Sequence, residues 1–245
     1  MAEGRLFTDN MDWDIPCWFD GKSIPCPDKM EYQQEHGPNI DCRRRCKLYK
    51  QINVAISNCG QPNTKKFLID LELQKIDVKA FLRLNEIKEN IILWVEKGSN
   101  LYLTSDNIQT GKTTWALKIL YRYITTICFQ IPFTINGYYL YLPELLFKLK
   151  DYEFKKSEEF KQLDTILKYC PLIIWDGINT QTLTPQEQST LGIYLNKRDL
   201  EGLSNIFIGK NLTEDDLNIM VGPVLAQRLN IMEHINFKAK SYRGF

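Results

Sequence analysis

Between Asp77 and Glu96 the apolar residues Val78, Phe81, Leu82, Ile87, Ile91, Ile92 and Val95 recur near helical spacing, and Lys97-Gly98 closes the run, which predicts one helix. Beyond it, short apolar runs of strand character alternate with helical ones. LYLT at 101, YYLYL at 138, LIIW at 172, NIFIG at 205 and the segment from His234 to Phe237 read as strands. Helices are expected from Lys112, from Pro143 to Tyr169, from Pro185 to Arg198 and between Thr213 and Leu229. Strands that alternate with helices imply a parallel sheet covered on both faces, an α/β fold.

The chain of 245 residues is long enough for one good core and a small appended module. Its formal charge of +1 gives no global field that would hold a polyanion, so contact with nucleic acid would need a local basic cluster. No apolar run is long enough to cross a bilayer, and the acidic start MAEGRLFTDNMDWD lacks the apolar centre of a signal peptide. A soluble, cytoplasmic protein without membrane contact is expected. In that compartment the seven cysteines read as metal ligands or buried thiols rather than as a disulfide framework.

The segment DNIQTGKTT, from Asp106 to Thr114, follows the first strand and opens a helix, the setting of a P-loop. In such a loop the main-chain amides of Asn107, Ile108, Gln109, Thr110, Gly111 and the helix N-terminus face phosphates, where the positive end of the helix also lies. Lys112 would reach the β- and γ-phosphates of ATP or ADP, and the Thr113 hydroxyl would ligate Mg²⁺. Asp106 stands where G-x-x-x-x-G-K-T has its first glycine, and a left-handed backbone there would cost about 1 to 2 kcal/mol. LIIWDG, Leu172 to Gly177, is an apolar strand ending in Asp176, which can hold Mg²⁺ opposite Thr113. Gly177 then occupies the place of a second, water-orienting acid. Glu187 on the next helix is a substitute for it, or else a solvated helix-face residue.

With these motifs in order, the chain resembles the DnaC/DnaI/IstB-like AAA+ proteins over roughly residues 62–245. YLYLPELLFKLK at 139 is similar to the family's strand and helix between the two nucleotide motifs, and IFIGKNL at 206 to its fourth strand and sensor 1. GPVLAQRL at 222 and SYR at 241 resemble its C-terminal motifs. The resemblance implies a P-loop AAA+, RecA-like core that binds ATP. It assigns Asn211 to sensor 1, Arg243 to sensor 2 and Arg228 to the second arginine of the GERVxxR segment, while Val224 stands in place of the trans-acting arginine finger. An arginine finger contributes about 10³ to 10⁵ in rate, so Val224, Gly177 and Asp106 together predict a weak or vestigial ATPase.

Residues 1–61 form a second unit, rich in cysteine, proline and glycine. Cys17, Cys26, Cys42 and Cys46 offer four thiolates for Zn²⁺, with His36 and Cys59 as alternates; Cys128 and Cys170 read as core thiols. Trp13, Trp18 and Phe19 would serve for docking or for the module's own core. Arg43, Arg44, Arg45, Lys47 and Lys50 make the one basic cluster, a candidate contact for single-stranded DNA, an acidic partner surface or solvent. By resemblance the module docks on a DnaB-type hexameric helicase, on which the chain would assemble as a loader. The competing readings are a helicase-binding inhibitor, an IstB-type transposition ATPase and a P-loop kinase.

Overall fold

The computed structural model describes residues 77–127, 135–155 and 158–238, together with Gln34 and the pieces 51–52, 54–56 and 58–60. The chain enters the main unit through α1 (Val78–Glu89) and α2 (Ile91–Glu96). It continues through β1 (Asn100–Ser105), α3 (Lys112–Ile127), β2 (Gly137–Tyr141), α4 (Leu142–Lys155) and α5 (Glu158–Tyr169). Then follow β3 (Leu172–Asp176), α6 (Pro185–Leu200), β4 (Ser204–Ile208), α7 (Glu214–Val221), α8 (Pro223–Ile231) and β5 (Glu233–Phe237). The α/β expectation holds, and all five strands lie where the apolar runs place them.

The lead-in helix is broken where one continuous helix was expected. Asn90 leaves helical geometry (φ −105°, ψ 25°), and its side-chain amide donates to Glu86 O at 3.0 Å beside its own main-chain N–H. An asparagine that bonds locally to the backbone in this way competes with helix continuation. Asp77 caps the first half: Oδ1 accepts from Ala80 N, and Oδ2 accepts from Lys238 N just beyond β5. Arg83 grips Glu233 at the start of β5 with two bonds of 2.5 and 2.8 Å, fixing the helix against the sheet edge.

The strands form one parallel sheet in the order β2-β3-β4-β1-β5. Alternation along each strand feeds two cores. Leu101, Leu103, Ile174, Ile206 and Ile208 face α1, α2 and α3, whereas Ile173, Trp175 and Phe207 face the helices α4 to α8. The first core also holds Ile52, Ile56 and Cys59, so it reaches back to the residues before α1. At the sheet's N-terminal edge the fully buried Arg198 donates to Asn205 Oδ1 (2.6 Å), Ser204 O (2.7 Å) and Cys170 O (2.8 Å), tying α6 to β4 and to the start of β3. Among the described residues, no helix is long and apolar enough to cross a membrane.

Candidate functional site

In an open parallel sheet, ligands gather beyond the carboxyl ends of the strands. There β1 ends in Ser105, a six-residue loop follows, and α3 opens at Lys112. The loop turns at Gln109 (φ 58°) and Gly111 (φ 90°), which alone within it have a left-handed backbone. Asp106 has no positive φ, so the strain expected at the missing glycine is carried by Gln109 instead. The Asp106 carboxylate accepts a bond from the Asn211 side-chain amide at 2.9 Å, and Asn211 N donates to Ser105 O at 3.1 Å. The end of β4 is thereby laid against the start of the loop. Ile108 is exposed at the tip, and Thr110 is buried beneath it.

Lys112 Nζ donates to Ser105 Oγ and, at 3.4 Å, to Thr110 Oγ1, both neutral hydroxyls. Burial pulls its pKa below the usual lysine value, only partly opposed by the charge of Asp176. Thr113 Oγ1 donates to Asp176 Oδ2 at 2.7 Å, and the Tyr139 hydroxyl donates to the same oxygen at 3.0 Å. Burial raises the Asp176 pKa against the contrary pull of these two bonds and of Lys112. A half-buried ammonium and a largely shielded carboxylate thus each lose more to burial than the other's charge restores. The donor set, a threonine hydroxyl and a carboxylate, is the hard-oxygen chemistry that suits Mg²⁺. A polyanion at Lys112 with a divalent cation at Asp176 would satisfy both.

The sequence reading missed three residues here. Ser105 holds Lys112, Tyr139 holds Asp176, and Asn179 braces the floor: its amide donates to Tyr102 Oη (3.1 Å) and Lys210 O (3.0 Å), while its Oδ1 accepts from Lys210 N (2.7 Å). Strand alternation could have put Tyr139 on one face with Ile174, but nothing in the sequence says which face meets α3. Asn179 carries no periodic signal at all.

Other expected residues stand elsewhere. Glu187 is neither a solvated helix-face residue nor free to orient water. It is the buried third residue of α6, where Thr184 and Glu187 form a reciprocal capping box, and it pairs with Lys150 Nζ at 2.9 Å. Arg228 is not brought to the loop. Its guanidinium bonds Asp199 Oδ2 (2.7 Å) and Asn196 Oδ1, both in the last turns of α6, near the edge of the sheet opposite Ser105. Val224, one turn before it, is exposed. Gly177 has φ 79°, and a Cβ there would lie 2.7 Å from the Tyr141 ring. Thr114 stands in the first turn of α3. Cys170 is a buried core thiol, as expected, and Cys59, weighed as an alternate zinc ligand, is buried in the first core. Cys17, Cys26, Cys42, Cys46, His36, Cys128 and Arg243 lie outside the described residues.

A strand order of this kind, with β1 between β4 and β5, invites comparison with solved structures. A DnaC helicase loader superposes with a TM-score of 0.55 at 20% identity, over 69% of this chain and 92% of its own. The chain shares the fold of that loader over this stretch. DnaI matches at a TM-score of 0.56 and 17% identity, over 73% of this chain and 96% of its own. The replication initiator DnaA, bound to AMPPCP and single-stranded DNA, matches at 0.54 and 14% identity, over 73% of this chain and 51% of its own. At these identities the loader likeness is one of architecture. No protein-family profile matches the sequence, and no curated protein does.

Proposed function

We propose that the chain binds ATP or ADP with Mg²⁺ and acts as a loader of a DnaB-type replicative helicase on single-stranded DNA. The observation that carries this reading is the meeting of Lys112, Thr113, Asp176 and Asn211 around one loop at the ends of β1, β3 and β4. Lys112 and the loop amides would hold the phosphates, while Thr113 and Asp176 would hold the metal. Mg²⁺, when bound, supplies charge neutralisation between phosphate oxygens. Arg243 belongs to this proposal as a phosphate contact on the resemblance of SYR at 241 to the family's C-terminal motif. The loader reading is supported by the AAA+ architecture shared with DnaC and DnaI.

Hydrolysis is weak in this proposal. At Gly177 the backbone and the Tyr141 ring leave no room for an acid, Glu187 is engaged as a cap, and Val224 offers no guanidinium to a neighbouring subunit. Turnover well below about 1 s⁻¹, the low end of ordinary enzyme rates, is expected. The N-terminal module is proposed to bind Zn²⁺ through Cys17, Cys26, Cys42 and Cys46 and to dock on the helicase. Co-purification with a DnaB-type helicase, with zinc measured on the isolated complex, tests both statements. A helicase that passes through unretained in every nucleotide state would sink the loader reading. Phosphoryl transfer to an added nucleoside would favour the kinase instead.

A further inference from the structure

Tyr139 sits in the middle of β2, the edge strand, and is buried. From there its hydroxyl reaches diagonally to the end of β3, to Asp176 Oδ2, the oxygen that Thr113 also engages. One carboxylate oxygen is thus fixed by two donors from two different elements. The main chain of Tyr139 is fixed too: its N–H donates to Cys59 O at 2.6 Å. Gly60 follows with φ 76°, and a Cβ there would collide with Tyr139 O and lie 2.6 Å from the Tyr138 ring. Only glycine lets the turn lie this close to the strand.

We propose that Tyr139 is a positioning residue for the metal end of the nucleotide site, and that the Cys59–Gly60 turn holds it in place by clamping its main chain. The proposal rests on the reading of Asp176 as a metal-binding carboxylate. Tyr139 touches neither metal nor phosphate; it sets the direction in which Asp176 offers its second oxygen. A group that orients a metal-binding carboxylate typically changes metal affinity by about 10- to 100-fold when removed. Through the turn, the residues that precede α1 gain a mechanical connection to the nucleotide site by a path of two hydrogen bonds.

The test uses the full chain and a fluorescent ATP analogue, titrated with and without Mg²⁺. Tyr139→Phe should weaken Mg²⁺-dependent binding by roughly tenfold and leave metal-free binding at the wild-type value. With Mn²⁺ in place of Mg²⁺, its electron paramagnetic resonance spectrum in the nucleotide complex should change in the variant. Gly60→Ala should produce the same selective loss in the wild-type background and no additional loss in the Tyr139→Phe background. Equal loss with and without metal would mark Tyr139 as a packing residue only and overturn the proposal, as would an unchanged Mg²⁺ dependence. An undiminished Gly60→Ala effect on top of Tyr139→Phe would overturn the link through the turn. Failure of the wild-type chain to bind the analogue at all would instead overturn the nucleotide reading, and the inference with it.

Discussion

At Gly177 a single missing side chain has two causes that can be separated. In the proposed nucleotide site an acid there would orient water, and the backbone present is one that no acid could adopt cheaply: φ is 79°, and the Tyr141 ring stands 2.7 Å from a Cβ. A left-handed conformation costs a non-glycine residue about 1 to 3 kcal/mol, before any collision is counted. Gly177→Glu is therefore expected to lower stability by at least that amount in urea denaturation and to leave turnover at the wild-type level. A variant that hydrolysed ATP at an ordinary enzymatic rate would show that the glycine, and not the surrounding geometry, limits the site. The place of Lys112 and Thr113 at a helix start beyond β1 was readable from spacing alone, because the P-loop pattern sets those two residue types at fixed distance from such a start. Tyr139 and Ser105 were not, since a tyrosine in a strand and a serine at its end have many more ordinary uses.

Helix termini show how much a local motif can predict. Thr-Pro-Gln-Glu at 184 is a capping box with proline at the first helical position, and α6 starts there. The expectation failed only in the job assigned to Glu187. Burial alone would raise its pKa, but bonds from Lys150 and Thr184 outweigh that and leave it below the usual glutamate value. A group whose folded pKa is depressed contributes stability above its unfolded pKa and loses it as pH falls through the folded one. Glu187→Gln should accordingly cost about 1 kcal/mol near neutrality, and the gap to wild type should close on acidification through and below the glutamate range. A gap that widened in acid would reverse the sign of this account. The lead-in helix was legible as apolar periodicity, but the break at Asn90 was not, because its cause is a side-chain bond to Glu86 O that periodicity does not register.

For the molecule as a whole, the sheet brings together residues on or just beyond β1, β2, β3 and β4 that are scattered between positions 105 and 211. The alternation of strands and helices was enough to infer a parallel sheet, whereas the order in which the strands lie side by side follows from packing that no single segment encodes. A ligand that binds only the folded site stabilises it by mass action, by about 2.7 kcal/mol at a concentration one hundred times Kd. MgATP should raise the thermal midpoint of the wild-type chain, and Lys112→Ala should abolish the rise while leaving the unliganded midpoint near the original. A persistent rise in that variant would place the nucleotide elsewhere.

The turn of the loop after β1 at Gln109 rather than at Asp106 bears on how such chains are recognised at all. Position 106 needs no special backbone, and what its side chain supplies is the bond to Asn211 rather than a left-handed turn. A search pattern that insists on glycine there would pass over this chain and any relative built the same way, whereas one anchored on Gly111, Lys112 and Thr113 would retrieve them.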